Sequence, residues 1–600
     1  MVDPRIYRAT LALVVIAVIV FGFSLTPAPA PASSSLAPGQ FFVNAYQVCC
    51  DLAPHQTSFA TRFPNRTPGS AGDDALATDV YTQLTAIKGF GVRQSAATVE
   101  TATGSRTIET VMARRTGVNA GTIVVLSSRD AEGSPAAAQL SGTAVLLGLA
   151  RALGGANLQR TVMLVSTSGT VGEVGAAQLV DQLAGHSVDA VITLGDLAGE
   201  HLAGSVVQAW SNGDVETPPM LRDTLAAFVR SEAGVTVSSP GPLSQVIHLA
   251  FPFTLGQQAP FLQAGIPAVG LSVLSDHTPP AYEPMDPARL DGLGGAVLRT
   301  VEALETSPTV PAPSSYLTIG GQLVPLWAVR LLVLALIFPV LATTVDAMAR
   351  ARRRGHQLIT WLAWVLVGAV PFLIAVAAVV IAGKVGALPA TPSGPVAGGV
   401  VLTGGGVAVI GVAAALAAGG SYLLRPWLLR LAAGLGARTG DPSSPRIEGA
   451  AVALMIVTGL LALLLWLFNP FAALLLVPAL HCWLWIADPD VRERRRLVLA
   501  LALIGFAPAL VVGIYYWHVL GLSPLGLLWS GVLLVAGGGL SIAAAAFWAV
   551  ALGAFASAVV LAIRTIRTPQ AADAPVTVRG PVTYAGPGSL GGTESSAVRR

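Results

Sequence analysis

At 600 residues the chain is too long for a single ordinary domain. Its residues are 53% hydrophobic and only 11% charged, with a mean hydropathy of +0.67, which excludes an entirely water-soluble protein. The net charge of +3 leaves no nucleic-acid footprint, because the arginines sit in short turns beside apolar runs instead of forming a patch. Lysine occurs only at Lys88 and Lys384, a usage that points to a GC-rich bacterial genome.

The first apolar run, 9–25, follows Arg5 and Arg8 and approaches the length needed to cross a hydrocarbon core. It predicts a transmembrane anchor within 1–28, with the amino terminus in the cytoplasm. A cleavable signal peptide is the rival reading, since Ala-Pro-Ala-Pro-Ala follows at 28–32. The Pro/Ala/Ser stretch 29–38 reads as a linker. Three cysteines exclude a disulfide framework. The adjacent Cys49 and Cys50 read as two free thiols or a cross-link to another chain, and Cys482 falls in a predicted span.

From 39 to 310 the chain alternates β-rich and helical segments. Strands are expected at 107–115, 122–127, 161–166, 188–194 and 268–273. Helices are expected at 135–153, 173–184, 221–233 and 287–305. This alternation predicts an α/β domain with a mixed, mostly parallel sheet flanked by helices. Ligands of such sheets lie at the carboxyl ends of the strands.

Apolar runs at 326–348, 358–382, 396–424, 447–468, 471–487, 497–520 and 525–563 predict an all-α transmembrane bundle of about seven helices over 326–563. The last run is too long for one straight helix; a break is expected around Gly537-Gly538-Gly539, with one span after a re-entrant or tilted piece. Arg350, Arg352, Arg353 and Arg354 fill one turn. Arg425, Arg430, Arg438 and Arg446 mark another, and Arg492, Arg494, Arg495 and Arg496 a third. The alternate turns hold almost no positive charge. Positive turns stay in the cytoplasm, so the domain at 39–310 is expected outside it. The tail 564–600 is rich in Pro, Gly, Ser and Ala and reads as disordered and cytoplasmic.

"RTPGSAGDDALATDVYTQL" at 66–84, "TVMARRTG" at 110–117 and "VVLSSRDAEGSPAAAQLSGTAVLLGLARAL" at 124–153 resemble successive blocks of the zinc aminopeptidases of metallopeptidase family 28. So do "TVMLVSTSGTVGEVGAAQLV" at 161–180, "DAVITLGDLAG" at 189–199 and "APFLQAGIPAVGLSVLSDHTPP" at 259–280. The resemblance implies a zinc-exopeptidase-like fold. It also implies two zinc ions held by a His, a bridging Asp, a Glu, a further acid and a last His, with a second Glu as base. The sequence departs from that pattern where the chemistry lies. The first His-x-Asp reads Ser128-Arg129-Asp130, and the bridging Asp falls on Ala138. The Glu-Glu pair falls on Thr170-Val171, and the later acid on Gly195 with Asp196 one residue late. Only the last His survives, as His277, and an upstream Asp-His pair reads Gln257-Gln258.

Zinc needs three or more N, O or S donors at about 2 Å, and Ser, Ala, Thr, Val and Gly supply no adequate set. A base must reach the metal-bound water, and Val171 is unable to. These vestigial positions therefore predict no metal cofactor, zinc being the alternative. Glu173 and Asp196 are the weak catalytic candidates; a helix-start acid and a loop acid are the plainer readings. Asp130 has an equally plain reading as a strand-end cap, and His277 as a hydrogen-bonded loop residue.

The sequence thus reads as a membrane protein with a degenerate peptidase-like outer domain that binds or scaffolds. Its partners are the lipid bilayer and, at the outer cleft, a membrane protein or a peptide or lipid-linked ligand. The layout is similar to that of the peptidase-like subunit of the glycosylphosphatidylinositol transamidase. One alternative is an active membrane-bound zinc aminopeptidase with a rearranged site of Asp130, Glu173, Asp196 and His277. The other is a transporter with an outer receptor domain.

Overall fold

The structure, a computed structural model, describes residues 4–43, 58–131, 137–237, 239–280, 284–354, 358–389, 392, 394–396, 400–434, 447–486, 491 and 494–567. Cys49, Cys50 and the tail beyond 567 lie outside the described residues.

A seven-stranded sheet organises the first half. Its strands are β1 (Gly91–Thr101), β2 (Gly104–Arg115), β3 (Thr122–Ser128), β4 (Thr161–Thr167), β5 (Val188–Leu194), β6 (Val207–Gln208) and β7 (Ala268–Leu271). They lie in the spatial order β1-β2-β4-β3-β5-β7-β6. The central β4, β3, β5 and β7 run parallel, while β1, β2 and β6 pair antiparallel. The sheet is mixed, with a parallel centre and antiparallel flanks.

Alternation along each central strand feeds two separate cores. Ile123, Val125, Val162, Leu164, Ala190 and Ile192 point to one face, where helices at Ala71–Thr85, Ser141–Leu153, Pro219–Ala233 and Pro287–Thr306 cover them. Val124, Leu126, Met163, Val165 and Val191 point to the other, covered by the helix at Val174–Gln182 and the turn at Ala259–Gln263. Burial on both faces explains why these strands read as continuous apolar runs. Each fully buried Val or Leu contributes about 1.5–3 kcal/mol.

Two of the elements of this half that were not expected from sequence have a plain physical reason. β1 is an edge strand with ten of its eleven residues at least partly exposed, so it carries no apolar signal. The helix Pro242–Ala250 buries its His248 and Gln245 and is held by long-range contacts. The Gln245 side chain donates to Thr318 O at 2.9 Å and accepts from Thr318 N at 2.7 Å.

Seven described helices are long and apolar enough to cross a membrane: Arg5–Phe23, Leu326–Arg353, Leu358–Lys384, Gly404–Leu431, Gly449–Phe468, Arg496–Leu520 and Ile542–Ile563. The expected run 471–487 forms the shorter Pro470–Ile486, about 25 Å at 1.5 Å per residue. Two runs differ in detail from the sequence expectation, and the final run breaks where expected. Leu358–Lys384 is interrupted at Gly368-Ala369, just before Pro371 at the second helix start. The run 396–424 turns helical only at Gly404, where Thr403 caps Gly406 N. It then continues through a π-turn at Gly420–Leu424 to Gly434. The final run forms Pro524–Ala536 and Ile542–Arg567, separated at the expected glycines.

The chain enters and leaves the α/β half at one place. Thr26-Pro27, just after the first helix, pairs with Leu323 and Gln322, just before the second. Tyr7 Oη lies 2.7 Å from His481 Nδ1, and His481 Nε2 lies 3.0 Å from Leu336 O. These contacts fix the first helix to the bundle.

Candidate functional site

A cavity of about 220 Å³ opens at the carboxyl ends of β3 and β5 and beside the turn after β4. Ser128, Asp130, Thr170, Val171, Gly195, Asp196 and His277 all line it. Positions spread over 150 residues of sequence therefore meet in one place. Ala138 sits in the short helix Ala137–Leu140 beside it; its side chain is not among those described.

The two acids of the lining are both engaged by neighbours. Asp130 is 4% exposed and accepts from Thr170 N at 3.0 Å and Thr170 Oγ1 at 2.7 Å. Burial raises its pKa, and the Thr170 bonds oppose that rise. Asp196 Oδ1 accepts from Ala198 N at 2.9 Å, Gly199 N at 3.0 Å and Ser141 Oγ at 3.3 Å. It shapes the loop that follows β5 and the start of the helix Ser141–Leu153.

Arg129, between Ser128 and Asp130, turns away from the cavity. It is fully buried, pairs with Asp73 at 2.9 Å, and donates to Ser166 O and Glu109 O. Glu173, expected near the chemistry, also lies outside the lining. Its backbone is left-handed at φ 57°, and its carboxylate accepts from Asn212 Nδ2 at 2.8 Å. Asn212 Oδ1 accepts from Thr254 N at 2.7 Å, and Thr254 Oγ1 donates to Asp276 Oδ1 at 2.6 Å. Burial, with Asp276 adding to it, holds Glu173 well above the usual carboxylate range. This buried chain braces the floor of the cleft. Sequence reasoning missed Asn212 and Thr254, which belong to no motif.

Gln257 and Gln258 serve the backbone. Gln257 Nε2 donates to Thr170 O at 2.8 Å and Gln258 Nε2 to Trp210 O at 2.9 Å. Gln257 Oε1, Ser128 Oγ and His277 Nδ1 are buried without a hydrogen-bond partner among the described residues. Open hydrogen-bonding capacity in the cavity thus includes an amide oxygen, a hydroxyl and an imidazole nitrogen.

The bundle reaches this cleft from the other side. Pro395 lines the cavity, and Val171 packs on an apolar cluster with Leu388, Val396, Trp529 and Leu533. Trp529 Nε1 donates to Val400 O at 3.0 Å, tying the same loop to the bundle. Gly521 presses on the His277 ring: a Cβ there would stand 2.6 Å from Cδ2.

Among the described residues, no three His, Cys, Asp or Glu side chains come together closely enough to share a metal ion. Among the described lining residues the His, Cys, Asp and Glu side chains are Asp130, Asp196 and His277, and these do not gather as a donor set. The described residues therefore do not fit a two-zinc centre.

No family model matches the chain, and no curated protein does. Solved structures similar to it include a glutaminyl cyclase from Porphyromonas gingivalis, at 21% identity and TM-score 0.29, covering 41% of this chain and 96% of that one. The LapA aminopeptidase of Legionella pneumophila is similar at 14% identity and TM-score 0.33, over 42% of this chain and 69% of its own. The zinc aminopeptidase BSAP of Bacillus subtilis is similar at 11% identity and TM-score 0.33, over 42% and 95%.

Proposed function

We propose that this chain is a multi-pass membrane protein whose α/β domain lies outside the cytoplasm. Its peptidase-like cleft binds a ligand or partner without hydrolysing it. The arginine-rich turns at 350–354 and 494–496, against arginine-poor alternate turns, support that orientation. The first helix then serves as an anchor, and lipid is the medium of the bundle.

One observation carries the non-catalytic reading. Val171 stands where the resemblance places the catalytic base, and it is spent on apolar contact with the bundle's own loop. An apolar side chain neither accepts a proton nor ligates a metal. The engaged oxygens of Asp130 and Asp196 support the same reading, as does the outward displacement of Glu173 from the lining. The unpartnered amide oxygen of Gln257 and hydroxyl of Ser128 suit a peptide backbone or a hydroxyl-bearing headgroup.

The test is hydrolysis of aminoacyl and N-terminal-glutaminyl substrates by the full-length protein in detergent, with zinc supplied. The expected result is no turnover above the metal-only control. Turnover that is abolished by Asp130→Asn and by chelation would support a rearranged active site instead.

A further inference from the structure

A second concavity lies at the opposite end of the sheet. It is a groove of about 1080 Å³ lined by residues between Gly89 and His186, at the amino ends of β3, β4 and β5. The seven-residue strands place it about 20 Å from the cleft. None of its lining comes from the membrane half.

Its charge is the unusual feature. The segment 39–310 carries 23 acidic and 14 basic side chains, so a random groove there should be acidic. This one holds Arg93, Arg114, Arg115 and His186 and no acid at all. Arg93 pairs in register with Met112, and Arg114 with Gly91. The two arginines are therefore diagonal neighbours on one face of the β1–β2 hairpin, about 7–8 Å apart. Neighbouring like charges weaken a hairpin unless an opposite charge is near. Neither forms an ion pair among the described residues, and both are exposed.

Arg115 plays a different part. Its guanidinium donates to Gly154 O and Ala156 O, so it adds charge to the floor while its position is fixed. Gly89, at φ 93°, leaves room for it: a Cβ there would meet Arg115 Nη1 at 1.9 Å. Leu158 and Met163 supply an apolar wall.

We propose that this groove binds a linear polyanion, with Arg93 and Arg114 as the contacting donors, Arg115 as supporting charge and His186 as a further polar wall residue. Phosphate and carboxylate groups share the chemistry that a pair of exposed guanidinium forks recognises. The site is independent of the cleft and of whether the cleft is catalytic.

The test uses full-length protein in neutral detergent, with fluorescent linear polyphosphate and fluorescent polyglutamate as separate probes, read by anisotropy at low and at physiological salt. At least one probe is expected to bind and to weaken as salt rises. Polyphosphate alone would identify the phosphate source, and polyglutamate alone the carboxylate source. Arg93→Glu with Arg114→Glu should weaken binding about tenfold or more, and the milder Arg93→Gln with Arg114→Gln should weaken it less. Arg230→Glu, on the exposed part of helix Pro219–Ala233, should leave it unchanged. Absence of binding by both probes overturns the proposal, as does equal binding by wild type and the double charge reversal.

Discussion

Gly172 and Pro392 touch so closely that no side chain fits between them. A Cβ on Gly172 would lie 2.2 Å from Pro392 Cγ, and one on Gly394 would lie 2.1 Å from Gly172 O. The turn after β4 is thus packed directly against Pro392 and Gly394 of the membrane half, beside the cleft. Gly172 also sits at φ 77°, where an L side chain costs about 1–2 kcal/mol. Gly172→Val should therefore combine strain with overlap. The expected result is a lower unfolding midpoint and faster proteolysis within 385–403. Unchanged proteolysis would mean that this contact does not hold the loop.

Restoring the residue that the family resemblance implies at Val171 should be harmful. Val171→Glu places a carboxylate against Leu388, Val396 and Trp529, where burial without a partner costs roughly 1–3 kcal/mol. A drop in the unfolding midpoint without any gain of peptidase activity is expected. Activity gained with stability intact would show that the cleft is one substitution away from a working site.

Asp130 and Thr170 form a two-bond pair inside the cavity. Asp130→Ala should cost about 1–3 kcal/mol, because Thr170 N and Oγ1 lose their acceptor in a buried place. Thr170→Val should cost less, since the backbone bond remains. A double-mutant cycle on the unfolding free energy should show the two substitutions to be non-additive; additive losses would sever the pair.

Two buried groups should make the stability of the α/β half depend on pH at both ends. Glu216 is pushed up to about 8 by burial, with Arg222 opposing. Its contribution is full below the unfolded value and is lost as pH rises through about 8. His248, stacked on Trp210 with centroids 4.3 Å apart, is pushed down to about 3 by burial. Its contribution is full above the unfolded value and is lost as pH falls toward 3. Glu216→Gln should flatten the alkaline limb of the stability profile and spare the acid limb. An alkaline limb unchanged in the variant would remove Glu216 as its source.

The central strands and their order of appearance were legible in the sequence, because burial on both faces leaves apolar runs such as 162–165 at their centres. Six positions singled out in separate sequence blocks, Ser128, Asp130, Thr170, Val171, Gly195 and His277, line one cavity. What was not legible depends on long-range contact. The edge strand β1 has no apolar face, and the helix Pro242–Ala250 takes its place from the bundle, through Asn469 Nδ2 to Leu249 O at 2.8 Å and Tyr516 Oη to Phe251 O. The side chain of Glu173 leaves the lining because its backbone turns left-handed at Gly172-Glu173, a local geometry that residue spacing does not encode. The meeting of the loop 385–403 with the cleft joins segments over 200 residues apart, with no motif to announce it.

The most direct test of the non-catalytic cleft is metal stoichiometry. Full-length protein in detergent, exposed to zinc and then washed mildly, should retain no tightly held zinc, because the described His, Cys, Asp and Glu side chains gather into no donor set. About two zinc ions per chain, lost on Asp130→Ala, would contradict the account and make the protein a peptidase with a rearranged centre.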